Sequence, residues 1–168
     1  MRALLQRVSR AGVEIDGKMV GQIDDGLLIL VGAGRNDDTN DALTLADKAA
    51  NLRIFPDEEG KSNLSLLDVG GSALVISQFT LYADCRRGRR PSFSDAADPQ
   101  PAEALVDEFR KALERQGVAT ATGRFGAHMH VSLENVGPYT ILLDSETLSR
   151  PRRGDQTTPR AVDTAEAT

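Results

Sequence analysis

The sequence predicts a single-domain α/β protein whose sheet is mainly antiparallel to mixed and which carries two principal helices. Three observations predict it. The N-terminal stretch alternates apolar and polar residues and is broken by a tight-turn signal, Asp16-Gly17, the pattern of a half-buried antiparallel hairpin. The run "LLILVGAG" from Leu27 is continuously apolar, as a strand covered on both faces must be. Two later segments repeat their apolar residues at helical spacing.

In order along the chain, Leu4 to Val8 reads as a first strand, Val13 to Ile15 as a second, and Met19 to Ile23 as the strand returning from the Asp16-Gly17 turn. The run from Leu27 is the central strand. Ala42, Leu45, Ala46 and Ala49 share one face of a helix over 39–50, whose beginning is rich in Asp37, Asp38 and Asp41, where the helix dipole favours acids. "NLRIF" and "ALVIS" are strands separated by the turn-rich "PDEEGKSN". Leu105, Phe109, Ala112 and Leu113 line one face of a second helix over 101–116, which Gly117 ends. "HMHVSL" and "YTILLD" are the last strands, around the loop "ENVGP". The domain therefore spans 1–144. Residues 145–168 hold few large apolar side chains and many Pro, Arg and Thr, and are expected to be a disordered tail.

The 168 residues suit one core, burying roughly two-thirds of the unfolded surface. With 20 basic against 25 acidic residues, net charge −5, the chain is not a polycation that holds nucleic acid by bulk attraction, so any such contact must be local. Cys85 is the single cysteine, which excludes an internal disulfide and a cysteine-based zinc site. The N-terminus lacks the apolar core of a signal peptide and no window approaches a membrane span, so a soluble cytoplasmic protein without membrane contact is expected.

Four stretches stand out chemically. "SQFTLY" places Ser77, Gln78 and Thr80 at the end of the strand that "ALVIS" begins, either as ordinary polar residues of a strand end or as a reactive surface. A serine or threonine nucleophile needs a base, and the chain has only two histidines, His128 and His130. Two apart on a strand, they share a face and could pair as metal ligands; with no third ligand evident they read as an exposed pair, and no metal is assigned. "CRRGRRPSF" gathers Arg86, Arg87, Arg89 and Arg90, either a solvated run or a grip for an anionic substrate processed beside it, with Phe93 able to stack on a base or to fill the core. "NVGPYT" reads as a turn between strands.

"MRALLQRVSRAGVEIDG", "LADKAANLRIF", "NLSLLDVGG", "SQFTLYAD", "GRRPSFSDAA", "TGRFGAHM" and "NVGPYT" together, in this order and spacing, resemble the D-aminoacyl-tRNA deacylase family over about residues 1 to 144. The resemblance implies a homodimer of α/β subunits with a barrel-like sheet. It implies hydrolysis of the ester that joins a D-amino acid, or glycine mischarged on tRNA(Ala), to the tRNA's terminal adenosine, a proofreading activity that needs no cofactor.

By the same resemblance Ser77, Gln78, Phe79 and Thr80 line the pocket for the aminoacylated 3′ end, with backbone at Phe79 and Thr80 near the ester. Ala127 and Met129 match pocket-wall positions, and the arginine cluster would hold phosphates of the acceptor end. Gly137 and Pro138 match a Gly-cisPro motif that enters the partner subunit's site and excludes L side chains. His128, His130 and Tyr139 depart from the family pattern. An RNA-end binding module without turnover and a hydrolase of small esters are the competing readings; the polar "SQFT" stretch disfavours the first and the arginine cluster the second.

Overall fold

The computed structural model describes residues 1–150; most of the expected tail, 151–168, lies outside them. Where two strands are expected at the start there is one, β1 (Arg2–Ile15). The polar residues at its middle mark a change of partner. Arg2 to Val8 pair antiparallel with β3 (Gly26–Gly32), Ala11 to Ile15 pair antiparallel with β2 (Lys18–Ile23), and β8 (His130–Asp144) runs antiparallel along β1 from end to end. A strand has two edges, so β2 and β3 share the one opposite β8.

The sheet continues from β3 to β6 (Ser72–Ser77) and β7 (Ala119–Thr122), both parallel to β3. It then curls until β2 meets β7: a Cβ on Gly21 would lie 2.7 Å from the carbonyl oxygen of Thr122, so glycine is what permits the approach. The result is a nearly closed mixed barrel, as the resemblance implied. "NLRIF" contributes less than expected, only β4 (Phe55–Pro56), which pairs with β5 (Ser62–Leu64) as a separate two-stranded sheet.

Two helices pack against the outside of the barrel and against each other, α1 (Thr39–Asn51) and α2 (Pro99–Arg115). The acids at the start of α1 do more than meet its dipole: the Asp38 carboxylate accepts from Asn40 N at 2.8 Å while Asp41 accepts from Asp38 N at 2.9 Å, a reciprocal cap. Pro99 opens α2, where its missing N–H costs nothing. Leu27 and Ile29 of β3 face the helices together with Leu45, Phe109 and Leu113, whereas Leu28 joins Val13, Leu74 and Ile76 inside the barrel. That division explains why β3 is apolar at every position. Each such side chain contributes about 1.5–3 kcal/mol by leaving water.

β8 corrects a second expectation. The loop around Gly137-Pro138 is not a turn between two strands but a bulge within one, since Val8 pairs with Asn135 and Gln6 with Thr140, leaving four residues opposite Arg7 alone. Asn135 staples the bulge from within, its Oδ1 accepting from Tyr139 N at 2.7 Å and its Nδ2 donating to Thr140 Oγ1 at 3.0 Å. Arg7 holds it from below, donating from Nε to the Val136 carbonyl at 3.1 Å and stacking 4.7 Å from the Tyr139 ring centroid. The Gly137–Pro138 peptide bond is cis, and both residues are exposed.

The expected disordered tail begins instead with a short helix, α3 (Ser145–Ser149), capped by the Asp144 carboxylate. Ser145 is buried because its hydroxyl accepts from the Met1 amino group at 2.5 Å and its N–H donates to the Met1 carbonyl at 2.9 Å. Among the described residues no helix is long and apolar enough to cross a membrane.

Candidate functional site

The three parallel strands β3, β6 and β7 finish side by side, and the segments that follow them, at Ala33, Gln78 and Phe125, line a cavity of about 620 Å³. A crevice beyond the carboxyl ends of parallel strands is the usual place for a ligand in an α/β sheet, and this volume falls within the range of small-molecule sites. The N-terminal part of α2, from Asp98 to Val106, forms the opposite wall.

Ser77 ends β6, and the chain does not stay extended as the sequence reading supposes: Phe79–Tyr82 form a single 3₁₀ turn. The first N–H groups of a helical turn have no partner inside it. Gln78, at the turn's N-cap, makes no capping bond with its side chain and donates instead to Thr80 Oγ1, so the N–H groups of Phe79 and Thr80 are left open among the described residues. Ser77, Gln78 and Phe79 line the cavity, and Phe79 is 56% exposed.

The turn is held rigidly from behind. Arg2 Nη1 donates to the Leu81 carbonyl at 2.8 Å, its guanidinium lies 4.5 Å from the Tyr82 ring centroid, and its Nε pairs with Asp144 at 3.0 Å. Tyr82 in turn donates its hydroxyl to Asp37 Oδ2 at 2.9 Å, and the other oxygen of Asp37 meets the Met1 amino group at 2.6 Å. Burial, reinforced by the Asp37 carboxylate, pushes the Tyr82 phenol well above its ordinary range.

The arginine run occupies the tip of a loop closed by a two-bond bridge between Asp84 and Ser92, N–H to carbonyl in both directions at 2.7 and 2.9 Å, with Gly88 turning at φ +71°. Phe93, just past the bridge, packs edge-to-face on Phe79 with ring centroids 5.0 Å apart, which ties the loop to the cavity. The four arginines are not equivalent. Arg86 forms a two-pronged pair with Asp84 at 2.8 Å on each prong, and these hydrogen bonds hold the Asp84 carboxyl down at about 2. Arg87, Arg89 and Arg90 are exposed and make no ion pair with the described residues.

Ala127 and Met129 line the cavity together with His128, while the arginine tip does not reach into it. Thr80 is exposed beside it. Gly137 and Pro138 do not line it; they project from β8. His128 and His130 stand edge-to-face at 5.2 Å between centroids, and no cluster of three metal-ligating side chains exists among the described residues.

Sequence reasoning missed Arg35 and Phe125 at the cavity, the support from Arg2, Tyr82 and Asp37, and Arg7 beneath the bulge. Arg35 and Phe125 follow parallel strands, a signal that becomes readable only once strand order is known.

Fold and cavity together define a small α/β barrel protein whose pocket offers open backbone donors and aromatic faces in one place, with a cationic loop tied to its rim. The chain belongs to the D-Tyr-tRNA(Tyr) deacylase family, whose model matches residues 4–144. It is 62% identical over 152 residues to a D-aminoacyl-tRNA deacylase of Roseiflexus sp. (strain RS-1), covering 90% of this chain and 98% of the relative. To the D-aminoacyl-tRNA deacylase of Fervidobacterium nodosum it is 56% identical over 146 residues, 87% and 98% of the two chains. Among solved structures, the c-Myc DNA unwinding element binding protein superposes with a TM-score of 0.80 at 35% identity, covering 86% of this chain and 98% of that one. A probable eukaryotic D-amino acid tRNA deacylase shares the fold, with a TM-score of 0.72 at 16% identity over 84% and 97% of the two chains.

Proposed function

We propose that this protein proofreads translation in the cytoplasm as a homodimer, hydrolysing the ester between a D-amino acid and the terminal adenosine of tRNA, and that it clears glycine mischarged on tRNA(Ala) at the same site. Family membership makes the chain a hydrolase of the aminoacyl-tRNA ester bond. The observation that carries the residue assignment is the 3₁₀ turn Phe79–Tyr82, whose two leading N–H groups stand open beside the cavity.

In this reading the terminal adenosine enters between Phe79 and the side chains of Ala127 and Met129, bringing the ester carbonyl to those donors. When water attacks, the negative charge that develops on the carbonyl oxygen is bound by the Phe79 and Thr80 N–H groups, each worth about 3 kcal/mol in such a role. The bond from carbonyl carbon to ribose oxygen then breaks, releasing the free amino acid and tRNA. The vicinal ribose hydroxyl assists proton movement, so Gln78 and Thr80 position the substrate and neither forms a covalent intermediate. Arg87, Arg89 and Arg90 hold phosphates of the acceptor end.

Gly137 and Pro138, exposed and outside their own subunit's cavity, act on the cavity of the second subunit. There their backbone occupies the space an L side chain would need, while a D side chain points outward and glycine has none. Deacylation of D-tyrosyl-tRNA and L-tyrosyl-tRNA by the purified protein tests this. Release of the D-amino acid alone is the expected result; equal rates on both, or no release of either, would overturn it.

A further inference from the structure

The two histidines are the feature that the functional reading leaves unused. The expected strand "HMHVSL" begins only at His130, and the turn before it leaves Met129 half-buried between the exposed His128 and His130. Gly123 packs against Met129: a Cβ there would lie 2.4 Å from Met129 Sδ, so the bare backbone leaves room for the thioether. His128 also lines the cavity. The imidazoles meet edge-to-face, with 5.2 Å between centroids and 70° between planes. Neither ring takes part in an ion pair or a metal cluster among the described residues. Burial cannot account for them, since both are exposed.

The cavity that His128 lines also carries an exposed edge-to-face pair, Phe79 and Phe93, at 5.0 Å and 71°. Phe79 belongs to the turn that holds the open N–H groups, so the reacting nucleoside lies on that side. A single-stranded RNA end continues from there by one nucleotide, and exposed aromatic or imidazole rings are what unstacked bases pack on. Arg124, exposed four residues before His128, supplies a cation for the intervening phosphate.

We infer that His128 and His130 form a second base platform, which receives the pyrimidine immediately 5′ of the terminal adenosine. The inference rests on the proposed function, since it takes the ligand to be a tRNA 3′ end. The platform adds affinity for the RNA and leaves the ester chemistry alone.

Two substrates separate the roles: a D-tyrosyl ester of adenosine alone, and the same ester on the trinucleotide CCA. Replacing His130, which does not line the cavity (His130→Ala), raises KM for the trinucleotide about tenfold, the scale of one lost base stack, with kcat unchanged. This variant hydrolyses the adenosine ester as the parent does. His130→Phe, which keeps a stacking face, retains most of the parent's affinity for the trinucleotide. Equal losses on both substrates, or no loss on either, would overturn the platform while leaving the deacylase reading intact. A parent protein inert on both esters would overturn that reading and the platform with it.

Discussion

Replacing Tyr82 by Phe removes one oxygen from the clamp behind the 3₁₀ turn and keeps the ring under Arg2. The lost bond runs to an ionised carboxylate, a class worth about 1.5–3 kcal/mol. Asp37 still accepts from the Gly34 N–H and still faces the Met1 amino group at 2.6 Å, so it is not stranded, and the half-exposed setting places the cost near the lower end, about 1.5 kcal/mol. For a domain of this size that lowers Tm by roughly 3–6 °C. The variant also carries a pH signature. The Tyr82 phenol is raised in the folded protein above its ordinary value near 10, so the folded state keeps its proton where the unfolded chain has lost it. The stabilisation is then complete below about pH 10 and declines as pH rises toward the folded value. Thermal unfolding followed by circular dichroism from pH 7 to 11 therefore shows the parent and Tyr82→Phe separated at neutral pH and converging above about pH 10. Curves that coincide at pH 7, or that stay parallel to pH 11, would refute the account of the clamp.

Thr80→Ala retains deacylase activity within about fivefold of the parent, whereas a fall on the order of a thousandfold, or a trapped acyl-threonine, would make Thr80 the nucleophile. Asp84→Asn frees Arg86 from its internal partner, so tRNA binding tightens and its log–log salt slope steepens by about one phosphate contact; an unchanged slope would show that Arg86 never faces the RNA. Gly137→Ala puts a Cβ 3.0 Å from Arg7 Nη2 at φ +126°, which costs about 1–3 kcal/mol of stability and depresses turnover of D-aminoacyl and glycyl esters together; loss of one with retention of the other would contradict a shared exclusion wall.

The barrel was legible wherever burial sets a period. The doubly covered run of β3, the helical faces of α1 and α2 and the Asp16-Gly17 turn all follow from local pattern, and the structure reproduces them. What the pattern hid is continuity. A polar interruption looks the same whether a strand ends or only changes neighbour, so β1 reads as two strands, and β8 does likewise because a four-residue bulge resembles a turn. The 3₁₀ turn escaped for a related reason: "FTLY" has the composition of a strand, and its curl depends on Arg2 and Asp37, which lie far away in sequence. The candidate residues themselves were visible through resemblance, whereas the residues that hold them in place could be found only once distant segments had been brought together.

The pairing of β1 with β8 joins Arg2 to Asp144, the first strand to the last. A ribosome adding about 5–20 residues per second leaves one edge of β1 without its partner for on the order of ten seconds. Until β8 emerges, the nascent barrel has β2 and β3 in place but lacks the strand that carries Gly137 and Pro138, as well as the Asp144 carboxylate that steadies Arg2. In the proposed scheme the discriminating wall is therefore made after the strands and turn that frame the pocket, and a chain arrested before it would have a pocket without a filter.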